Sequence, residues 1–166
     1  MPCVNAAQCS IEAQAWGAND ADTMKYGWMK LNGSTVWQSS WNGEYPLHRG
    51  VNTFTIDRAT CTVLESKNFD TFLDTGAAGR LNTYLQGLSD GTILVGVTAD
   101  EASKYLDAAE TTLAGLGAVV SDVAYRGAWV FVAQIGHPSK TVFDKVLTEA
   151  AALKRDPVVI TFFPGA

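Results

Sequence analysis

The sequence contains few residues that could carry catalysis or hold a transition metal. Its 166 residues include two histidines, His48 and His137, and three cysteines, none of them in a CxxC pair. Nucleophilic catalysis needs a base within hydrogen-bond reach of a serine or cysteine, yet neither a GxSxG elbow nor a papain-like cysteine motif accompanies the histidines. Zinc sites use several cysteines and histidines at short spacing. We therefore expect a protein that is not an enzyme.

Charge and long apolar runs are also scarce. Charged residues make up 17% of the chain, with 12 basic and 17 acidic residues and a net charge of -5. The basic residues are scattered, which is not the pattern of a nucleic-acid-binding surface. No apolar run approaches the ~20 residues that cross a bilayer, and the first ten residues lack the basic and apolar parts of a signal peptide. We expect neither nucleic acid nor membrane insertion, and one domain over residues 1–166.

What is present is a regular pattern of apolar residues, first with strand spacing. Residues 10–17 alternate apolar and polar side chains, and Asn32-Gly33 separates two strand-like runs, which is the strongest short-range hairpin signal. The run from Val51 to Phe72 continues the strand pattern, with a turn predicted at residues 57–59. The first part of the chain is therefore predicted to be antiparallel β.

Helical spacing alternates with buried strands after Gly76. Helices are predicted over 77–88, over 102–116 and over 139–155, and the last of these corresponds to the sequence SKTVFDKVLTEAAALKR. Between and after them lie the apolar runs GTILVGVT, GAWVFVAQIG and PVVITFFPG, which are typical of buried strands. The pattern predicts a mixed α/β domain with one sheet system covered by two or three helices.

Three acidic loops could supply oxygen ligands to calcium, which binds carboxylates, amides and carbonyls that are often distant in sequence. These are residues 19–22, which we interpret as a solvated turn, residues 41–44, and the pair Asp100-Glu101. Thr98 and Glu101 also have the spacing of a capping box at the start of a helix, in which Glu101 would bond back to the Thr98 backbone. Asp100 has no part in such a box, so the two acids have separable predicted roles.

The loop of residues 39–47 carries Trp41 among glycine and asparagine. An exposed tryptophan is costly unless it packs on the core or meets a ligand. Sugars are suitable ligands, because their C–H faces stack on aromatic rings while their hydroxyls need amide or charged partners. Trp41 and Asn42 are therefore candidate carbohydrate-binding residues.

The ordered blocks RGVNTFTID, NFDTF, GTILVGVTADE and YRGAWVFVAQIG resemble the signature blocks of the interleukin-like EMT inducer (ILEI) domain family. The resemblance covers residues 11–163. It implies a compact β-sandwich of mainly antiparallel strands with interspersed helices. It also implies a secreted or lumenal location, and a role as glycan-binding module or cytokine-like ligand and not as an enzyme.

The resemblance also implies three sugar-binding positions, namely Arg49, Asp100 and Arg126. Each comes at a predicted strand end, so the three are expected to meet on one rim. The loop that leads into Arg49 would bring Trp41, Asn42 and Glu44 to the same rim.

Three functions follow as hypotheses, the third being a hydrolase whose active site no motif indicates. In size and character the chain resembles the small calcium-dependent galactose lectins of marine invertebrates. The first hypothesis is thus a secreted lectin that binds terminal galactose or a related hexose of a glycan through calcium, with Glu44, Asp100 and Glu101 as ligands. The alternative is a cytokine-like signalling ligand that uses exposed residues such as Trp28 and Trp37 as anchors.

The cysteine count suggests a covalent homodimer if the compartment oxidises thiols, and the alternative is three inert buried thiols. One intrachain disulfide would leave one of three cysteines over, and a lectin with weak single sites gains avidity from presenting two of them. We expect an interchain bond through Cys3 or Cys9, with the other of these two paired to Cys61.

Overall fold

The computed structural model describes residues 9–146 and 158–162, which contain nine β-strands, two α-helices and two short 3-10 turns. The strands are β1 Cys9–Gln14, β2 Tyr26–Leu31, β3 Ser34–Ser40, β4 Gly50–Asp57, β5 Thr62–Phe69, β6 Ile93–Ala99, β7 Ala128–Gln134, β8 Val142–Val146 and β9 Val158–Phe162. The helices are α1 Ala77–Gln86 and α2 Asp107–Gly115, and the 3-10 turns are Asp22–Met24 and Pro138–Lys140.

The strands form two antiparallel sheets. The first sheet has the order β3-β2-β1-β9 and the second has the order β5-β4-β6-β7-β8. Every neighbouring pair of strands runs antiparallel. The predicted β-sandwich of mainly antiparallel strands with covering helices is confirmed.

The second sheet is the middle of three layers, because both of its faces are apolar. Ile93, Val95 and Val97 of β6 join the core between the two sheets, whereas Leu94 of the same strand joins the core beneath α1 and α2. All seven residues of β6 are buried. This explains why the sequence of β6 reads as a continuous apolar run and not as an alternation.

The predicted hairpin turn is confirmed at Asn32-Gly33, where both residues have positive φ, of 49° and 80°. Positive φ at two successive positions is the requirement of a type I′ turn, which asparagine and glycine meet at low cost. The turn predicted after Asp57 is also confirmed, since β4 ends there and the Cys61 amide donates to the Asp57 carbonyl oxygen at 2.7 Å.

A disulfide between Cys9 and Cys61 joins the two sheets. Cys9 is the first residue of β1 and is fully buried, and Cys61 lies in the turn between β4 and β5. This settles which of the two N-terminal cysteines pairs with Cys61. Cys3 lies outside the described residues.

The helix predicted over residues 139–155 is wrong at its start. Residues 142–146 form β8, which pairs with β7 in the register Phe131↔Phe143. Valine and phenylalanine favour a pleated surface, and the exposed edge of β7 offers their backbone groups hydrogen-bond partners, so this pairing overrides the helical spacing. Residues 147–155 lie outside the described part of the chain.

The helix predicted over 102–116 is shorter than expected. It begins at Asp107, and residues 100–106 form a loop instead. Among the described residues, no helix has the length and apolarity that a membrane crossing requires.

Gly50 is fixed by the close approach of two strands, which gives a stability test. Its φ is +98°, and a Cβ there would lie 2.1 Å from the Phe69 carbonyl oxygen. We predict that Gly50→Ala lowers the free energy of unfolding by about 3 kcal/mol, because both the backbone angle and the contact oppose a side chain. Denaturant unfolding measures this change.

Gly33→Ala is the matched control. Gly33 has a similar positive φ of +80°, but nothing lies within 4 Å of the place that a Cβ would occupy there. It should therefore lose only about 1 kcal/mol, the cost of the left-handed backbone. Equal losses in the two variants would contradict the role assigned to the Phe69 contact.

Candidate recognition site

The strand order of the second sheet brings the three predicted sugar-binding residues to one end of the sheet. Gly50 of β4 pairs with Ala99 of β6, so Arg49, directly before β4, lies beside Asp100, directly after β6. Because β7 is antiparallel to β6, its start lies at the same end, and Arg126 comes two residues before it. We call this end of the sheet, with the loops around it, the rim.

Arg49 is held at the rim by Asp70, the residue that follows β5. The guanidinium makes a two-pronged contact with the carboxylate, with Nη2 to Oδ2 at 2.9 Å and Nε to Oδ1 at 3.2 Å. Asp70 Oδ1 also accepts from the backbone amides of Phe72 and Leu73. A two-pronged contact of this kind fixes the plane of the guanidinium as well as its position.

Asp100 lies in a half-buried place and carries an unusual backbone angle, with φ of 63°. Burial raises its pKa, and the positive charges of Arg49, Arg126 and Lys25 act in the opposite direction. Within the described part of the chain, no side chain or backbone group donates a hydrogen bond to the Asp100 carboxylate. The carboxylate is therefore partly dehydrated, near three cations, and able to accept hydrogen bonds from a ligand.

Arg126 stands at the other side of Asp100 and is exposed. Its guanidinium lies 5.2 Å from the centre of the Tyr125 ring, in a cation–π contact. Its backbone has φ of 64°, and its carbonyl oxygen would lie 2.3 Å from a Cβ placed on Gly17. The backbone of Arg126 thus packs closely against Gly17, while its side chain faces solvent.

Glu101 holds this arrangement from beneath the surface. Its side chain is buried, with 2% exposure. Its Oε1 accepts from the backbone amide and hydroxyl of Ser103 and from the Lys104 amide, and its Oε2 accepts from the Arg126 amide. One buried carboxylate therefore ties the loop after β6 to the loop before β7.

The predicted capping box of Thr98 and Glu101 is wrong. Thr98 is the penultimate residue of β6, and its hydroxyl bonds to the backbone of Trp129 across the sheet, accepting from the amide at 2.9 Å. The first helix after Glu101 begins at Asp107. The Glu101 carboxylate instead accepts from backbone N–H groups of its own loop and of the loop before β7, which also gives otherwise unpaired donors an acceptor.

Trp41 lies near the rim through Lys25. The indole is 56% exposed, the Lys25 ammonium lies 4.8 Å from the ring centre, and the Trp41 amide donates to the Lys25 carbonyl oxygen at 3.2 Å. Lys25 is also one of the charges that act on Asp100. The predicted association of Trp41 with Asp100 is therefore indirect and passes through a residue that the sequence did not single out.

The other two predicted residues of this loop are exposed and serve the turn itself. Asn42 accepts a hydrogen bond from the Glu44 amide through its side-chain oxygen, at 3.1 Å. Glu44 is exposed. The loop is anchored below by Ser40, whose hydroxyl accepts from the Tyr45 amide at 2.9 Å.

The sequence reasoning did not identify a second group of aromatic and cationic side chains at the rim. Phe72 contacts both Arg49 and Lys104, whose charged groups are 4.8 and 4.6 Å from its ring centre. The Lys104 ammonium also lies 4.8 Å from the Tyr105 ring centre. The block NFDTF contained a signal for this turn, because an Asp side chain often accepts hydrogen bonds from the backbone N–H groups that follow it, as Asp70 does here. Phe72 lies within that turn.

The predicted calcium ligands are Glu44, Asp100 and Glu101. Over residues 9–146 and 158–162, no three side chains of His, Cys, Asp or Glu are grouped as a metal site would require. The Glu101 oxygens already accept four hydrogen bonds, so a cation would compete with those donors. Calcium binding stays a prediction.

The fold and the rim together define a β-sandwich domain with a polar and aromatic surface at one end of its middle sheet. Residues 49–137 match the interleukin-like EMT inducer family. This match begins at Arg49 and spans β4 to β7, the part of the chain that builds the rim. The chain belongs to this family.

The relatives are of two kinds. The chain is 34% identical over 116 residues to the cell migration-inducing and hyaluronan-binding protein of Mus musculus, a match that covers 69% of this chain and 8% of the relative. It is 34% identical over 99 residues to Protein FAM3C of Xenopus tropicalis, covering 58% and 42%. It is 36% identical over 91 residues to the cell surface hyaluronidase of Danio rerio, covering 53% and 7%. The chain thus spans less than half of each of these relatives.

The Glu101 contacts predict a structural role that can be measured. The side chain in Glu101→Gln has one acceptor oxygen and one NH₂ group. In one orientation the NH₂ group faces the Arg126 N–H, and in the other it faces the Ser103 and Lys104 N–H groups, so at least one backbone donor loses its acceptor. We expect a loss of about 2–3 kcal/mol in the free energy of unfolding, the cost of a buried unsatisfied donor.

Denaturant unfolding of Glu101→Gln beside Glu44→Gln tests this expectation. Glu44 is exposed, and the same substitution there should change stability by less than about 0.5 kcal/mol. If Glu101→Gln were as stable as the original chain, the carboxylate would not be the tie between the two loops.

Proposed function

We propose that this chain is an extracellular recognition domain without catalytic activity of its own, and that it binds a carbohydrate at the rim. The observation that carries the proposal is the meeting of Arg49, Asp100 and Arg126 at one end of the second sheet. The Cys9–Cys61 disulfide supports an oxidising, extracellular location. A cell surface is also named for one relative.

The chemistry of the rim suits a sugar. A hexose offers a ring face for Trp41 and hydroxyls that can donate to Asp100 and accept from Arg126. Each of these is a charge-assisted hydrogen bond, which is stronger than a neutral one. The hyaluronan-binding name of a relative supports a polysaccharide as the ligand class.

Terminal galactose and calcium are the finer parts of the proposal. Of the three predicted calcium ligands, Glu101 is occupied by hydrogen bonds, and Asp100 is better placed than the exposed Glu44 because it lies at the end of β6, beside the other predicted sugar-binding residues. Two vicinal hydroxyls of the sugar would complete the coordination of such an ion. None of the three relatives described above is named a lectin, so this part rests on the chemistry of the rim and not on the comparisons.

A cytokine-like signalling ligand is the second candidate, and the comparisons favour it over a calcium lectin. The match to Protein FAM3C covers a larger share of the relative than the other two matches do. The predicted anchors Trp28 and Trp37 are half-buried. Tyr105 and Tyr125, which are 36% and 49% exposed, are better placed to meet a receptor protein.

Catalysis is not carried over from the relatives named hyaluronidase, because the match to the Danio rerio protein covers 7% of that chain. No assignment of an active site to this chain follows from such a partial match. The absence of catalysis remains part of the proposal.

Binding of defined glycans to the Arg126→Ala variant tests the proposal. We predict saturable binding of galactose-terminated or hyaluronan oligosaccharides by isothermal calorimetry, weakened at least tenfold in Arg126→Ala through loss of a charge-assisted hydrogen bond of about 1.5–3 kcal/mol. Addition of EDTA should abolish binding if calcium is required.

Arg80→Ala is the matched control, since Arg80 is an exposed arginine of α1 that pairs with Asp74 and not with the rim. It should bind as the original chain does. If no glycan binds, or if both variants bind alike, the carbohydrate proposal is wrong and the signalling candidate takes its place. Binding that persists in EDTA removes calcium alone.

The proposed homodimer depends on Cys3, because Cys9 and Cys61 are bonded to each other. Non-reducing gel electrophoresis should show a dimer that reducing agent converts to monomer. Cys3→Ser should give monomer in both conditions, and a monomer of the original chain without reductant would rule out the covalent dimer.

A further inference from the structure

A groove opens between the edge strands of the two sheets, away from the rim. It has a volume of ≈ 550 Å³ and lies between β3 and β5. Its apolar lining residues are Leu31, Val36, Trp37, Phe54, Cys61 and Val63. The size falls in the range of pockets that hold small organic molecules.

Two β-bulges explain why the groove exists. In the pairing of β2 with β3, Met29 faces Trp37 and Lys30 faces Thr35, which leaves Val36 as an extra residue. In the pairing of β4 with β5, Leu64 is the extra residue in the same way. A bulge bends its strand and increases the local twist. Both edge strands are therefore irregular beside the groove, which also disfavours the addition of a peptide strand there.

The groove borders a smaller hollow of ≈ 240 Å³ whose lining includes the polar residues His48, Asn52 and Asn68. The two share Trp37, Phe54 and Ser66. The ring of Trp37 lies 5.7 Å from the ring of Phe54 and 5.7 Å from the ring of His48. We call the groove and the adjoining hollow together the cavity, which has an apolar body, an aromatic border at Trp37 and Phe54, and a polar end around His48.

The polar end contains a residue with an unusual backbone angle, which two asparagine side chains hold in place. His48 has φ of 48°, a backbone angle that a residue with a Cβ adopts at some cost. The side-chain amides of Asn52 and Asn68 both donate to its carbonyl oxygen, at 2.8 and 3.2 Å. These contacts fix the loop that places the imidazole beside Trp37.

The residues that line the polar end of the cavity present no charged group to a ligand. Burial lowers the pKa of His48, so its imidazole is neutral at physiological pH. The Lys67 ammonium is engaged on the helix side of the second sheet, 5.3 Å from the Tyr84 ring centre and 3.9 Å from Glu65. The remaining polar partners, including the Ser66 hydroxyl, are neutral.

We propose that this cavity binds a single uncharged amphiphile of the long-chain alcohol type. The apolar chain lies along Trp37, Phe54 and Val63, and the hydroxyl bonds at the polar end, near His48 and Ser66. This ligand matches the apolar body of the cavity and the neutral donors and acceptors at its end. The cavity shares no lining residue with the proposed carbohydrate site, although its polar end adjoins the rim, since His48 directly precedes Arg49.

Titration with octanol, nonanol and decanol, followed by amide NMR shifts, tests the proposal. Saturable shifts are expected at Val36, Trp37 and Val63. Each added methylene should tighten binding about fourfold, the factor that corresponds to burial of one CH₂ group. Decanoate, which has a similar chain and a charged end, should bind at least tenfold more weakly than decanol.

Ser66→Phe places a ring in the cavity and should weaken decanol binding at least tenfold. Ser66 is exposed on an edge strand, so the variant should fold. Leu64→Phe is the matched control, because Leu64 lies on the same strand, is 66% exposed and does not line the cavity. Arg126→Ala at the rim should also leave decanol binding unchanged.

Three results would overturn the proposal. These are shifts that do not saturate or that fall away from the cavity, equal decanol affinity in Ser66→Phe and Leu64→Phe, and decanoate binding as tight as that of decanol. NMR spectra of both phenylalanine variants establish that each is folded before its affinity is compared.

Discussion

The rim depends on one buried carboxylate. Glu101 satisfies the amides of Ser103, Lys104 and Arg126 at once, and so gives three backbone donors an acceptor in a place that water does not reach freely. Since the loop after β6 and the loop before β7 are joined in this way, Asp100 and Arg126 keep a fixed separation. Glu101, the buried neighbour of Asp100, therefore sets the geometry of the two side chains that we propose contact a ligand.

The sheet order supplies the rest of the site. Four consecutive strands of the second sheet end or begin at the rim, so residues far apart in sequence, from Arg49 to Arg126, become neighbours without any long loop reaching across. The side chains that face solvent there can change without disturbing the three-layer core beneath them. A family that contains relatives named for hyaluronan binding and relatives of the Protein FAM3C kind is compatible with such a division between core and surface.

The sequence predicted the parts of this structure that local chemistry decides. The Asn32-Gly33 hairpin and the apolar strand β6 follow from turn requirements and from burial on two faces, and both are confirmed. The role of Glu101 could not be predicted in this way, because its main partner outside the loop, Arg126, is 25 residues distant and only the sheet order brings them together. Strand β8 was missed for a related reason, since its helical spacing is overridden by an available sheet edge. Asp70 was missed as a partner of Arg49 because nothing local links them.

The disulfide between Cys9 and Cys61 has a mechanical consequence. It connects the first residue of β1 to the turn between β4 and β5, and so links the first sheet covalently to the second. Tension applied to the chain ahead of Cys9 would pass through this bond into the middle layer. The hydrogen bonds between β1 and β2 would then not carry this force, and they would not break one after another from the end of the strand. A domain tethered at that end would therefore resist shear as a single body, and the cavity beside Cys61 would keep its shape under load.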